Sequence, residues 1–249
     1  MANKLVETED TSELKKRIIN TAAKKYFYQK SYQKYTEILN RCPQKGLAIE
    51  LGSGAGLTKY FISEFITTDV ILFPELDCVI DGKTLPFKND SIRLFCMLNV
   101  FHHISDVELF LSEVSRCLAP QGRILMIDQH IGLISRWILK YLHNENYDDK
   151  TNSWTFESSN PVTDANGALT WIVFRRDLKL FQKKYPELKL IKYKPHTPLF
   201  YWLSGGLKKW NLIPKIFIPL AIMLDKFLLR ITNDFGSFVD IELVKNVDI

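Results

Sequence analysis

The stretch of this 249-residue chain best suited to hold a ligand is Glu50-Leu51-Gly52-Ser53-Gly54-Ala55-Gly56, an acidic residue leading into alternate glycines. It follows the apolar run 47–51, which reads as a short buried strand, and it precedes 57–65, whose apolar spacing predicts a helix. Glycines at a strand-to-helix turn let the backbone bend sharply and let a ligand approach closely. A dinucleotide frame, Gly-x-Gly-x-x-Gly, would need glycine where Leu57 stands, and a P-loop would need Lys-Ser/Thr after Gly56, where the chain has Leu57-Thr58. What remains is a loop for a nucleoside whose tail carries no pyrophosphate, with Glu50 available to a cationic or amine donor.

Proton chemistry would fall to histidine, the side chain whose ordinary pKa lies nearest neutrality. His130 follows the apolar run 123–128, at the sheet edge that would face a substrate, and is the candidate general base; His102, in the turn after 92–98, is the second. Each also has a structural reading as a hydrogen-bonding residue of its turn. His143 and His196 read as loop or surface residues. No His/Cys/Asp group shows metal-ligand spacing, so no metal is expected. Cys42, Cys78, Cys96 and Cys117 lie 36, 18 and 21 residues apart, which suits reduced thiols rather than a disulfide framework.

The elements around these residues alternate. Apolar positions at helical spacing over 10–40 predict one or two amphipathic helices; 66–69, 78–81, 92–98 and 123–128 read as strands, and 106–118 as a helix. Such alternation predicts an α/β fold with a mostly parallel sheet covered on both faces. Further on, helices are expected near 134–142 and 177–185, and strands at 188–193 and 238–244. A single domain is expected over 1–249, with a ligand-binding core at 47–130, substrate or lid insertions at 131–235, and a last strand and tail at 236–249.

IELGSGAG resembles motif I of class I S-adenosylmethionine-dependent methyltransferases, of the type 11-like kind, and DCVIDGKTLPF, SIRLFCMLNVFHHISD and EVSRCLAPQGRILMID resemble the segments that follow it in order. The resemblance spans 47–128 and implies a Rossmann-like, seven-stranded, mostly parallel sheet that binds S-adenosylmethionine and releases S-adenosylhomocysteine. It implies cofactor contacts from Glu50, Gly52, Ser53, Gly54 and Gly56. Asp69 would take the ribose hydroxyls, although only 12 residues separate it from Gly56; the helix between must then be clipped, or Glu75 takes the ribose. Asp81, with Gly82, would face the adenine amine, and Asn99 and His102 the methionyl end. ANGALTWIVFRRD and HTPLFYWLSGGL resemble a branch of these enzymes encoded among bacterial surface-polysaccharide genes.

The turn Asn99-Val100-Phe101-His102 lacks the Pro-Pro-aromatic pattern of base and amide methylation, which leaves O-methylation of a small-molecule, sugar or lipid-linked glycan acceptor as the leading expectation. A quinone-like or lipid-like acceptor is the alternative; an RNA methyltransferase and a non-catalytic cofactor-binding protein rank below. The net charge of +5 is too diffuse to demand nucleic acid. The residues before 18 lack a secretory apolar core, so the expected address is cytoplasmic. Residues 208–231, apolar with a basic edge, read as a lid, a homodimer helix, or a helix on the inner membrane face.

Overall fold

The computed structural model describes residues 11–143 and 145–246; the expectations for the first ten residues and for 247–249 lie outside the described residues. The apolar runs pair as β1 (Leu47–Leu51), β2 (Ile66–Asp69), β3 (Cys78–Val79), β4 (Ile92–Leu98), β5 (Leu118–Gln129), β6 (Leu188–His196) and β7 (Phe238–Lys245). They form one seven-stranded sheet in the order β3-β2-β1-β4-β5-β7-β6. Strands one to five run parallel, and β7 runs antiparallel to both β5 and β6. This is the α/β, Rossmann-like, mostly parallel sheet expected of the sequence.

Both faces of the sheet are buried, and β5 shows how. Ile124 and Met126 join the core beneath α4 (Val107–Cys117), while Leu125 and Ile127 point the other way, toward α1 (Thr11–Asn20) and α2 (Ala22–Leu39). The period of two is that of a strand with apolar neighbours on each side. On β7 the residues alternating with Val239, Ile241 and Leu243 are charged instead. Asp240 takes Lys34 of α2 at 2.6 Å, and Glu242 takes Arg41 through two hydrogen bonds of 2.7 and 3.0 Å. Burial would raise the Asp240 carboxyl, but His196, Lys34 and Lys192 hold it well below the ordinary carboxylate range.

Three of the boundaries that differ from the sequence expectation lie in the core over 47–130. The helix expected over 57–65 is α3 (Thr58–Phe61), because Ile62 is already extended and its N–H closes the last turn on the Thr58 carbonyl at 2.7 Å. The strand expected at 78–81 stops at Val79, since Asp81 turns the chain and accepts the Lys83 N–H at 2.9 Å. The strand expected from 123 starts at Leu118. Its pairing with β4 jumps from Ile92–Leu118 to Leu94–Arg123, so the turn around Pro120 and Gly122 is absorbed as a bulge.

The second half supplies α5 (Leu133–Tyr141), α6 (Leu169–Trp171), α7 (Leu178–Lys184), α8 (Phe200–Ser204) and α9 (Ile218–Ile231). β1 neighbours β2 on one side and β4 on the other, so the chain reverses its winding there. The crevice at the carboxyl ends of β1 and β4 is where open parallel sheets bind ligands.

Candidate functional site

The glycine loop sits on that crevice. Gly52, Gly54 and Gly56 all have positive φ, of 71°, 48° and 64°, which favours residues without a Cβ. A Cβ on Gly52 would lie 2.3 Å from Val100 Cγ2, so the loops after β1 and β4 touch at this residue. A Cβ on Gly54 would meet no heavy atom within 4 Å; it faces open space.

The loop is tied to β2. Ser53 N–H donates to the Thr68 carbonyl at 2.8 Å, and Ser53 Oγ accepts the Thr68 N–H at 3.1 Å, so this side chain serves the protein's own backbone. Asp69 accepts the Gly54 N–H at 2.9 Å on one oxygen and the Ile71 N–H at 3.2 Å on the other. The short spacing noted in the sequence is met by the clipped α3. Burial raises the Asp69 carboxyl against those backbone donors. Glu75 also reaches the loop beside Gly56, where Lys15 of α1 pairs with it.

Glu50 turns inward. It is buried and accepts the Thr58 hydroxyl, and burial pushes its carboxyl up to about 7. Its partner is thus internal rather than an amine donor at the surface. Asp81 stays 40% exposed and caps the turn to Thr84, and a Cβ on Gly82 would press on Phe110 at 3.1 Å.

The turn after β4 is held by one side chain. Asp128, fully buried at the end of β5, accepts Val100 N–H at 3.1 Å and Phe101 N–H at 2.7 Å on one oxygen. Its other oxygen takes Gln129 N–H at 2.6 Å and meets His102 Nδ1 at 2.5 Å. Asn99 enters this turn with φ 57°, and its side-chain oxygen is buried without a hydrogen-bond partner. Burial alone would lower the His102 pKa; the Asp128 carboxylate and then Glu145 reverse this and hold it at about 10. His102 therefore keeps its proton at neutral pH, which does not suit the general-base role expected of it. Beside it, burial and the His102 charge push His103 down to about 4.

His130, the other candidate base, is buried with Nδ1 2.9 Å from the Tyr193 hydroxyl, and its Nε2 has no partner. Burial pushes its pKa down to about 4, so it is neutral at pH 7. The unfolded chain, with an ordinary value near 6.5, binds more protons between pH 4 and 6.5, so stability is full above that window and lost as pH falls through it. We expect this one group to account for on the order of 3 kcal/mol of that loss, the shift converted at ~1.4 kcal/mol per unit. Urea midpoints for His130→Gln and wild type should lie close together at pH 7 and diverge as pH falls toward 4, wild type losing more stability than the variant. Parallel curves across the range would show that His130 is not the residue responsible.

Sequence reasoning missed Asp128, Gln129 and Glu145. Asp128 carried a signal, as an acidic residue ending an apolar strand opposite two histidines. Glu145 carried none, since it lies in a loop 42 positions beyond His103. Three basic side chains have partners within the protein: Arg17 donates to Leu207 O at 2.8 Å, Lys24 to Lys208 O, and Lys184 pairs with Glu108.

Residues 50–126 match the family described as Methyltransferase domain. No curated protein sequence is significantly similar to the chain. Among solved structures, a chain of a Haloferax volcanii complex containing the methyltransferase activator Trm112 is 14% identical at a TM-score of 0.48, over 96% of this chain and 94% of that one. The Haemonchus contortus phosphoethanolamine N-methyltransferase 2, in complex with phosphomonomethylethanolamine and S-adenosylhomocysteine, is 13% identical at a TM-score of 0.44, over 96% of this chain and 61% of that one. The [4+2]-cyclase SpnF is 9% identical at a TM-score of 0.45, over 87% and 81% of the two chains. Likenesses this distant assign no residue a role. The match runs from the glycine loop into β5, so residues 50–126, on a sheet of this order, resemble a methyltransferase domain.

Proposed function

We propose that the protein transfers a methyl group from S-adenosylmethionine to a hydroxyl of a lipid-linked acceptor, a glycan on a lipid carrier being the leading candidate. The residues at the β1/β4 crevice fit that cofactor. Gly54 faces space that a Cβ would fill, Asp69 retains lone pairs beside the loop, and the Asn99 oxygen is buried without a partner. The cofactor supplies an electrophilic methyl on sulfur. The protein's part is to align donor and acceptor in line and to exclude water. Asp69 and Asp81 bind the nucleoside in this reading, Asn99 the methionyl end, and Asp128 keeps the Asn99 turn in place. Once methylated, a hydroxyl oxygen is a strong acid, so a base as weak as His130 suffices to take its proton at Nε2.

The observation that carries the choice of acceptor is the surface of α9. Of its fourteen residues only Asp225 is buried. Ile216 and Phe217, in the turn before it, and Leu220, Met223, Leu224, Phe227 and Ile231 are all exposed. Lys208, Lys209, Lys215, Lys226 and Arg230 rim this face, and Asp225, turned inward to accept the Leu199 N–H at 2.8 Å, is the one acid in 205–231. An exposed apolar face with a basic rim and no exposed acid complements an anionic lipid surface. No helix among the described residues is long and apolar enough to cross a membrane, so contact would be from one side. A quinone-like acceptor would use the same surface and is the second reading.

Two measurements test this. Titration calorimetry should show uptake of S-adenosylhomocysteine, weakened roughly tenfold by Asp81→Ala through loss of one charged hydrogen bond; no uptake by folded protein ends the methyl-transfer reading. The protein should also sediment with phosphatidylglycerol-containing vesicles, much less with phosphatidylcholine alone, and Ile216→Glu with Phe227→Glu should abolish it. Failure to sediment, with a dimer that those substitutions split, would assign the face to a second copy of the chain instead.

A further inference from the structure

A second group of side chains lies beside the crevice, and the methyl-transfer reading leaves part of it unused. His102 and His103, adjacent in the turn after β4, meet Glu145 from the loop after α5. His102 Nε2 is 3.3 Å from Glu145 Oε2, and His103 Nε2 is 4.0 Å from Glu145 Oε1. One ligand atom from each of the three residues falls within 4.8 Å of the others. Bonds of ~2.0–2.1 Å to a tetrahedral cation set ligand atoms about 3.3 Å apart, so a small contraction about a shared centre completes the geometry.

The outer contacts of the two rings agree with this. His102 gives its Nδ1 to the Asp128 carboxylate at 2.5 Å, and His103 gives its Nδ1 to the Asp164 carbonyl at 3.0 Å. Metal-bound histidines are held in this way, one nitrogen on a carboxylate or carbonyl and the other left for the ion. Two rings 4.2 Å apart with both outer nitrogens so engaged turn both Nε2 atoms toward one carboxylate.

Gln129 adds an independent sign. Its Nε2 lies 3.3 Å from His102 Nε2 and 3.2 Å from Glu145 Oε2, while its Oε1 is buried with no hydrogen-bond partner. A buried amide oxygen left unpaired costs about 1–3 kcal/mol. A half-turn of the amide would bring that oxygen beside the same two ligand atoms, where a cation would bind it. His143 Nδ1, 3.6 Å from Glu145 Oε2, lies at the rim of the group.

We propose that His102, His103 and Glu145, with Gln129 completing the set, form a binding site for a divalent transition-metal ion. On binding, the ion displaces to solvent the Nε2 proton that His102 otherwise carries at neutral pH. Two imidazoles and a carboxylate suit Zn2+ and its neighbours in the first row better than Mg2+, which prefers oxygen throughout. Binding at this position ties the loop carrying Glu145 to the turn that carries Asn99. The ion would lie on the acceptor side of the cofactor crevice, where it can bind and polarise an acceptor oxygen. That role rests on the methyl-transfer reading; the site does not.

The test is titration of chelator-treated full-length protein with Zn2+, and separately with Co2+ read by its visible absorption. One equivalent should bind with micromolar or tighter affinity, and Co2+ should show the intense bands of a low-coordinate nitrogen–oxygen site. Glu145→Gln and His103→Ala should each weaken binding at least tenfold without changing the metal-free circular dichroism spectrum, whereas Cys78→Ser, which removes an exposed thiol, should leave it intact. No saturable binding, or binding indifferent to Glu145→Gln, overturns the proposal. S-adenosylhomocysteine uptake measured on the same sample keeps the two readings apart, since either ligand can bind when the other does not.

Discussion

Gly54→Ala is expected to fold and to lose its cofactor. The added methyl points into space where no heavy atom lies within 4 Å, so nothing in the protein must move to admit it. The residue has φ 48°, and holding a side chain in that left-handed region costs about 1–2 kcal/mol. At a few degrees per kcal/mol for a chain of this size, the melting temperature should fall by roughly 5 °C. The cofactor would meet the methyl where it lies against the loop, and overpacking of that kind costs up to about 3 kcal/mol, roughly a 100-fold loss of affinity for S-adenosylhomocysteine by calorimetry. Gly52→Ala makes the contrast. Its methyl would sit 2.3 Å from Val100 Cγ2, so that variant should lose stability as well as binding. Undiminished affinity in a folded Gly54→Ala protein would remove the crevice from the cofactor site.

Asp128→Asn should cost about 3–5 kcal/mol of stability, the range for removing one partner of a buried charged pair. The substitution keeps the volume, so no cavity forms. Each carboxylate oxygen takes two partners: Val100 and Phe101 N–H on one, His102 Nδ1 and Gln129 N–H on the other. An amide turned either way sets its NH2 against two of these donors. Thermal unfolding should shift down by about 10 °C or more. Cofactor uptake should weaken too, because the freed turn carries Asn99 and the Val100 side chain that abuts Gly52. A melting temperature within about 2 °C of wild type would mean that Asp128 does not hold this turn.

The residues of the candidate cofactor site were legible in the chain because they are local. Strand, glycine turn and short helix occupy consecutive positions, and Asp69 and Asp81 each end a recognisable apolar run. The α/β layering was legible for a related reason, since burial on two faces writes its period directly into β4 and β5. Where the reading slipped, short-range signals met tertiary competition. Apolar spacing argued for a helix through 65, but Phe65 and Ile66 pack better in and beside β2, and α3 ends at Phe61.

What the sequence by itself determined was the mostly parallel sheet and a glycine turn between its first strand and the helix after it. Which side chains oppose one another across the β1/β4 crevice was decided by the tertiary structure alone. Asp128 meets the His102 turn because β4 and β5 are neighbours in register, and Glu145 meets both histidines because α5 returns its loop over the strand ends. The fate of Glu50 was decided there too, since Thr58 and the aromatic floor of α2 enclose it. Spacing along a chain records periodic burial, whereas a contact between distant loops depends on the path of everything between them.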